Sequence, residues 1–135
     1  KYMFADLQRW ADRYGVPLQM NPHFPLNTVT AMRAALVCQQ RGEFETYHQA
    51  MFRAAWCGSA NLADREVLAG LIARAGLDAA AILARAGEDD IKDALKKNTA
   101  EAVARGTFGA PTFFVGEEMF FGNDRLDFVE AALGA

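Results

Sequence analysis

The sequence predicts an α/β protein that is mostly helical and ends in a β-hairpin followed by a helix. Two observations carry this prediction. Between Thr28 and Arg105 the chain shows helical periodicity interrupted only by short loops, so no strand fits there. From Gly106 to Asp124, in contrast, the chain is rich in glycine and carries two short apolar runs separated by a turn.

This glycine-rich stretch predicts the order loop, proline, strand, hairpin and helix. Pro111 comes directly before a predicted strand at Thr112–Val115. A proline has no N–H to donate to a ladder and suits a strand's first residue, and cis costs an X-Pro bond only about 0.5–1 kcal/mol. A turn at Gly116–Glu118 leads to a second strand at Met119–Phe121, and a last amphipathic helix covers Arg125–Leu133. This order is typical of the C-terminal half of a thioredoxin-like domain.

The N-terminal part predicts one helix and one loop. Lys1–Tyr14 repeats apolar residues at spacings of three and four, and Gly15 is a natural helix stop. Val16–Met20 is extended, and its proline makes it at best an edge strand. Asn21–Leu26 contains two prolines and predicts a connecting loop.

Five helices joined by short loops are predicted next. Asn27 and Asp78 are predicted N-caps, because a side-chain oxygen accepts hydrogen bonds from the free N–H groups of a first helical turn. The predicted helices are Thr28–Arg41, Glu43–Cys57, Asp64–Ala75, Asp78–Ala86 and, from Asp89 or Asp90, a helix to Arg105. The predicted buried faces are Val29, Met32, Ala35 and Leu36 on the first helix, and Phe44, Tyr47, Met51, Phe52 and Ala55 on the second.

The two predicted hairpin strands are almost entirely apolar rather than alternating. Such strands are typical of sheets that are covered on both faces. Because a two-stranded hairpin alone is marginal in water, we expect partner strands. Val16–Met20 is the one other extended candidate in the sequence.

The composition excludes several classes of partner. Apolar residues make up 52% of the 135 residues and charged residues 23%, which argues for a packed core and against disorder. A net charge of −3 without a basic block argues against nucleic acid, and no apolar run approaches the roughly 20 residues of a membrane span.

Cys38 and Cys57 lie far apart and indicate reduced thiols of a cytoplasmic protein. His23 and His48 lack metal-ligand spacing, so we expect no metal site.

A family resemblance enters at GTFGAPTFFV followed by FFGNDRLDFVEAAL. These motifs resemble the 2-hydroxychromene-2-carboxylate isomerase family, which is grouped with kappa-class glutathione transferases and DsbA-like thioredoxin folds. The stretches YMFADLQRWADRYGVPLQMNPHFPLNT, AMRAAL, MFRAAW with NLAD, and NTAEAVARGTFGAPTF agree as well. The resemblance implies a thioredoxin-like part at residues 1–26 and 106–135 and a helical insertion domain at residues 27–105.

The sequence departs from this family at the catalytic serine. In relatives that serine lies in a Ser-Pro pair within an N-terminal β-α-β segment, whereas this chain has no Ser-Pro and only one serine, Ser59. We therefore expect that the chain lacks the N-terminal β-α-β segment, and we assign no catalytic residue. Lys1 does not match the lysine that helps to bind glutathione in relatives.

The resemblance implies glutathione as the cofactor. In relatives the residue before the cis-proline pairs its main chain with the cysteinyl part of glutathione, as an added strand would. That residue is Ala110 here, followed by Pro111. Asn123 and Asp124 are expected at the γ-glutamyl group, because a helix start offers N–H groups to a carboxylate and an acidic side chain can take the ammonium.

The implied function is a glutathione-dependent cis-trans isomerase of aromatic, naphthalene-like catabolism. It would interconvert 2-hydroxychromene-2-carboxylate and trans-o-hydroxybenzylidenepyruvate-type compounds, and relatives suggest a homodimer. Phe108, Trp56 and Phe24 are candidates for the wall around the aromatic substrate. Arg33 is a candidate to face its carboxylate.

Three other functions stay open at this point. A kappa-like glutathione transferase or peroxidase would share the cofactor but act on electrophiles. A DsbA-like disulfide oxidoreductase would need a C-x-x-C motif, which this sequence does not contain. A chain that keeps the binding half of the fold without the chemistry would be non-enzymatic.

Overall fold

The computed structural model describes residues 2–134, and its elements follow the predicted order. The predicted start of the first helix at Lys1 lies outside the described residues. The elements are α1 (Tyr2–Tyr14), α2 (Val29–Gln40), α3 (Phe44–Trp56), α4 (Arg65–Arg74), α5 (Ala79–Arg85), α6 (Asp89–Ala104), β1 (Thr112–Val115), β2 (Glu118–Phe121), a 3-10 turn (Asn123–Arg125) and α7 (Leu126–Leu133).

The chain divides into two compact units. One ends at Leu95 and the other begins at Lys96, so the division falls within α6. The predicted boundaries of the helical insertion, residues 27–105, differ from this division. The grouping of residues 1–26 with residues 106–135 stays a prediction.

The core of the first unit lies among α2 to α5 and the first turn of α6. α2 packs against α3 and α5, and α4 packs against the same two helices. Burial of these apolar side chains supplies most of the unit's stability, at about 25 cal/mol per Å² of apolar surface removed from water. The most completely buried side chains are Leu68, Ile72, Ile82, Ile91, Val37 and Cys38.

Asp side chains cap the starts of α4 and α5 in this unit. The Asp78 side chain accepts a hydrogen bond from the N–H of Ala81 at 3.0 Å, which confirms the predicted cap. Each such cap contributes about 1 kcal/mol. At α2 the Asn27 side chain accepts from the N–H of Val29 at 3.2 Å, but the helix begins one residue later than predicted and Thr28 holds the N-cap position, so the predicted N-cap was wrong.

The buried face of α2 agrees only in part with the prediction. Ala35 and Leu36 are half-buried and pack against the core, whereas Val29 and Met32 are 44% and 50% exposed, so the prediction was wrong for these two. The fully buried residues of this helix are Ala31, Ala34, Val37 and Cys38. α2 packs against two neighbours, α3 and α5, and small alanines at the contact allow that close approach.

The buried face of α3 is only partly as predicted. Tyr47, Met51 and Ala55 are buried, and the Tyr47 hydroxyl donates a hydrogen bond to the Ala31 carbonyl at 2.7 Å. Phe44 and Phe52 are 39% and 58% exposed, so the prediction was wrong for these two rings. They lie beside a cavity that is described below.

Val16–Met20 forms no strand. Within residues 2–134 the segment is irregular, and the Gln19 N–H donates to the Trp56 carbonyl at 2.6 Å, at the end of α3. The predicted edge strand was therefore wrong. The last carbonyls of a helix have no partner within the helix, so the end of α3 supplies the hydrogen-bond acceptor that a neighbouring strand would have supplied.

Asn21 fixes the loop that follows. Its side chain is buried, and its Nδ2 donates to the carbonyls of Ala55 at 2.9 Å and Ala60 at 2.8 Å. Its Oδ1 accepts from the His23 N–H at 2.9 Å. The Nδ2 group thus uses both of its N–H donors and the Oδ1 atom has a donor, as a buried amide requires. The predicted loop is confirmed as an ordered one.

The second unit contains the predicted hairpin and last helix. β1 and β2 pair antiparallel, and β2 begins at Glu118, one residue before the predicted start. The register is Thr112 with Phe121, Phe113 with Phe120, Phe114 with Met119, and Val115 with Glu118. In the part of the chain that the structure describes, this sheet has two strands and the expected partner strands are not observed.

Arg105 holds the hairpin against the end of α6. Its Nη2 donates to the Gly116 carbonyl at 2.8 Å, and its guanidinium carbon lies 3.7 Å from the centre of the Phe114 ring. α7 packs against β1 as well. A single arginine thus ties the turn and one strand of the hairpin to the preceding helix.

No helix among residues 2–134 has both the length and the apolar character needed to cross a membrane.

We expect that Asn21→Ala destabilises the protein by about 2–3 kcal/mol, because the carbonyls of Ala55 and Ala60 lose their buried donor. Urea unfolding followed by far-UV circular dichroism measures this change. Asn61→Ala is the matched control: the Asn61 side chain accepts one exposed hydrogen bond, from the Ala63 N–H at 3.2 Å. It should cost less than about 1 kcal/mol. Equal effects for the two variants would contradict a structural role for Asn21.

Candidate functional site

The loop between α6 and β1 carries two of the predicted binding residues. Gly106 ends α6 with a left-handed backbone, φ +94°, and the Thr107 N–H donates to the Ala102 carbonyl at 3.0 Å, which closes the helix end. The bond between Ala110 and Pro111 is cis, as the sequence predicted. The Pro111 carbonyl accepts from the Gly122 N–H at 3.0 Å, so Pro111 extends the hairpin ladder by one pair.

Ala110 presents a free main chain. The residue is exposed, and neither its N–H nor its carbonyl makes a hydrogen bond within residues 2–134. Its methyl side chain leaves the backbone accessible. An extended peptide can pair with such a backbone as an added strand would, and alanine is compatible with this role.

Aromatic packing holds the loop in place around Gly109. A β-carbon at Gly109 would lie only 2.8 Å from the Phe121 ring, so the ring occupies the space that a side chain would need. Phe108 packs on the same ring, with centroids 4.6 Å apart. Thr112 Oγ1 also donates to the Gly109 carbonyl at 2.7 Å. The Phe108 ring itself stays 72% exposed, on the surface of this unit.

Asn123 and Asp124 lie in the 3-10 turn that leads into α7. Gly122 precedes them with φ +104°, a conformation that favours glycine, and a β-carbon there would lie 2.5 Å from Asp124 Oδ1. Asp124 Oδ2 accepts a hydrogen bond from Arg125 Nη1 at 2.7 Å. Neither Asn123 nor Asp124 is the N-cap of α7, because that position belongs to Arg125.

The structure thus places an acid and a base side by side at the start of this helix. Asp124 and Arg125 are both about half exposed, so either can exchange its partner for a ligand group. Sequence analysis did not single out Arg125. The adjacent Asp-Arg pair shortly after Gly122 is the sequence feature from which Arg125 could have been predicted.

Thr107 is a second polar group that sequence analysis missed. Its Oγ1 is buried and has no hydrogen-bond partner among the described residues. Burying a hydroxyl without a partner costs about 1–3 kcal/mol, so such an atom is uncommon in a folded domain. No sequence pattern marks Thr107, because an unpaired hydroxyl becomes visible only when its surroundings are known.

Trp56, a predicted substrate contact, lines a cavity in the first unit. This apolar cavity, of about 550 Å³, lies between α2, α3 and the loop that follows Asn21. Phe24 lines it too, and the two rings lie 6.1 Å apart. The other lining residues are Leu26, Thr28, Ala31, Met32, Ala35, Phe44, Tyr47, His48, Met51, Phe52, Ala55 and Leu62.

Arg33 does not line this cavity. It lies on α2 beside Met32 and is half-buried, and its Nε is buried without a hydrogen-bond partner in the described part of the chain. Of the predicted substrate residues, the structure therefore brings Trp56 together with Phe24 in the first unit. Phe108 belongs to the second unit with Ala110, Pro111, Asn123 and Asp124.

Among residues 2–134, no group of three or more His, Cys, Asp or Glu side chains is arranged to hold a metal ion.

Comparison with known proteins identifies the family. The family described as the DSBA-like thioredoxin domain matches residues 1–134. The chain belongs to the DsbA-like thioredoxin family. The predicted fold class is thereby confirmed.

The chain is also similar to three proteins named 2-hydroxychromene-2-carboxylate isomerase, which confirms the resemblance seen in the sequence. It is 35% identical to the one from Sphingobium xenophagum and 34% identical to those from Pseudomonas putida and Pseudomonas sp. (strain C18), in each case over 98% of this chain. It covers 67%, 64% and 62% of these relatives, respectively. The chain thus spans about two thirds of their length.

A solved structure of a selenomethionine 2-hydroxychromene-2-carboxylate isomerase has the same fold. The TM-score is 0.86 at 29% identity, and the match covers 98% of this chain and 64% of that one.

The two cysteines of this DsbA-like chain are free and differ in accessibility. Cys38 is buried in α2 and Cys57 is half-buried at the end of α3. Burial raises the pKa of the Cys38 thiol to about 11, and the nearby Glu43 carboxylate adds to this, while Arg41 opposes it. Cys57 Sγ contacts the Pro17 carbonyl at 3.5 Å.

We expect one fast-reacting thiol in the native protein. At pH 8 Cys38 stays protonated, because its raised pKa lies well above that pH, and a buried thiol is a poor nucleophile. Iodoacetamide should therefore add one carbamidomethyl group under native conditions and two after unfolding, as counted by intact-mass spectrometry. Cys57→Ser should remove the native addition. Equal labelling of both thiols in the native state would contradict the packing of α2.

Proposed function

We propose that the protein carrying this chain is a glutathione-dependent isomerase. It would interconvert 2-hydroxychromene-2-carboxylate and trans-o-hydroxybenzylidenepyruvate-type compounds. The observation that carries the proposal is the similarity, over 98% of the chain, to three proteins named for this isomerase activity. The similar fold of a solved isomerase supports it as well.

The second unit offers groups that suit glutathione. The unpaired main chain of Ala110, next to Pro111, suits the peptide part of glutathione, which is extended and carries its own N–H and carbonyl groups. Asp124 suits the γ-glutamyl ammonium, and Arg125 suits the γ-glutamyl carboxylate, so the pair is complementary to both charges. Asn123 at the start of the 3-10 turn completes the proposed γ-glutamyl site.

When bound, glutathione would supply a thiol nucleophile that adds reversibly to a conjugated system, so that a double bond can rotate. The residues of this chain bind and orient. Ala110 would fix the position of the cysteinyl part, and Asp124 would hold the other end of the molecule. The exposed ring of Phe108 would contact the aromatic part of the substrate.

Two further substrate contacts remain proposals of their own. Trp56 would contribute an aromatic face to the substrate, as the family resemblance implies. Arg33 would pair with the substrate carboxylate. Its buried Nε has no acceptor among the described residues, and a carboxylate oxygen would supply one. We also propose a homodimer in the cytoplasm, where free thiols such as Cys38 and Cys57 persist.

An isomerase assay tests the reaction. We expect conversion of a trans-o-hydroxybenzylidenepyruvate, followed by its absorbance, only when reduced glutathione is present. S-methylglutathione is the matched control, because it keeps every binding group and lacks the thiol. Equal rates with S-methylglutathione would exclude thiol catalysis. Turnover of chlorodinitrobenzene without isomerisation would identify a glutathione transferase instead.

A substitution tests the proposed glutathione site. Asp124→Ala should weaken glutathione binding by about 1–3 kcal/mol, roughly a 5- to 150-fold rise in Kd, because a charge-assisted contact is lost. Isothermal titration calorimetry measures the Kd. Asp127→Ala removes the same charge three residues later, in the first turn of α7, and should change Kd by less than about twofold. If Asp124→Ala leaves Kd unchanged, Asp124 is not part of the site.

A further inference from the structure

We propose that the cavity between α2, α3 and the loop after Asn21 binds a small uncharged aromatic molecule. The cavity measures about 550 Å³, within the roughly 300–1,000 Å³ of ordinary ligand sites, so it has room for a small aromatic molecule. The proposal concerns the first unit by itself. It does not depend on glutathione or on isomerase activity.

Aromatic rings line the cavity along α3 and at the loop. Phe44, His48, Phe52 and Trp56 recur every four residues on α3, and all four line the cavity. His48 lies between Phe44, at 5.3 Å and 25°, and Phe52, at 4.4 Å and 43°. Phe24 of the loop lies 6.1 Å from Trp56 at 47°. A flat ring can pack against this aromatic lining.

The mouth of the cavity exposes apolar surface that a ligand would cover. Phe24 and Met32 are each 50% exposed, and Phe52 is 58% exposed. These exposed groups come from three separate elements and meet at one cavity. Covering them removes apolar surface from water, at about 25 cal/mol per Å², without any new polar contact.

The residue types that line the cavity favour an uncharged ligand. Within residues 2–134, the residues that line the cavity include no Lys, Arg, Asp or Glu. Thr28 and His48 supply polar atoms, whereas the Tyr47 hydroxyl already donates to the Ala31 carbonyl. A bound carboxylate would lose its hydration and gain no Lys or Arg partner, which is unfavourable. A ring with one hydroxyl can pack against the apolar lining and hydrogen-bond to Thr28 or His48.

This specificity differs from that of the proposed isomerase, whose substrates carry a carboxylate. Arg33, the nearest candidate partner for a carboxylate in the sequence of α2, does not line the cavity. The ligand class is therefore a neutral arene or phenol rather than an aromatic acid. This role of Trp56 is an alternative to the contact with the isomerase substrate proposed above, and equal or tighter binding of a carboxylate would favour that contact instead.

Tryptophan fluorescence provides the readout. The chain has two tryptophans, Trp10 and Trp56, so Trp10→Phe leaves Trp56 in the cavity wall as the sole reporter. We expect 2-naphthol to change the Trp56 emission saturably at sub-millimolar concentration, and 2-naphthoate to bind at least tenfold more weakly. No saturable change with 2-naphthol, or equal affinity for 2-naphthoate, would overturn the proposal.

Substitutions at the cavity locate the binding. In the Trp10→Phe background, Met32→Glu should raise the Kd of 2-naphthol at least tenfold, because it puts a charge at the apolar mouth. Met3→Glu is the matched control, since Met3 is 59% exposed on α1 and does not line the cavity, and it should change Kd by less than twofold. Equal effects of the two variants would overturn the proposal.

A second variant and the oligomeric state complete the test. Ala35→Phe would fill the cavity from α2 and should abolish binding while circular dichroism confirms the fold. Sedimentation velocity is run with and without 2-naphthol. If a second copy of the chain covers the cavity, the protein sediments as a dimer and 2-naphthol does not bind, which would overturn the proposal.

Discussion

The amide of Asn21 is the contact on which the architecture of the helical unit depends. It bonds the last turn of α3 at Ala55, the loop at Ala60 and the N–H of His23, and it is the buried polar residue of the described core. One side chain thus joins the loop after α1 to the end of α3 and to the loop that follows it, which are 34 and 39 residues away in the sequence. Phe24 follows within three residues, so the position of one aromatic ring of the cavity lining derives from this buried amide.

Local rules account for most of the secondary structure. Asp78 caps α5, the cis bond before Pro111 precedes β1, and the β-hairpin turns at Gly116 because each feature is decided by a few neighbouring residues. The predicted binding residues Ala110 and Asp124 also lie where the sequence placed them, at the end of the loop and the start of the last helix. Sequence was sufficient where backbone chemistry alone sets the conformation.

Sequence was insufficient where packing between distant segments decides the outcome. Val29 and Met32 are apolar and periodic, yet they are about half exposed, because the alanines of α2 make the closer helix contacts. The role of Arg105 across eleven residues, and the unpaired hydroxyl of Thr107, likewise depend on the tertiary surroundings. The expected strand at Val16–Met20 failed for the same reason, since a helix end supplied the hydrogen-bond partner.

Gly122 limits which residues can stand two positions before Asp124. Its backbone has φ +104°, and the space beside it is taken by the Asp124 carboxylate, so a side chain at position 122 would be strained and would displace that carboxylate. Replacing Asp124 would lift only half of this restriction, because the backbone angle would remain.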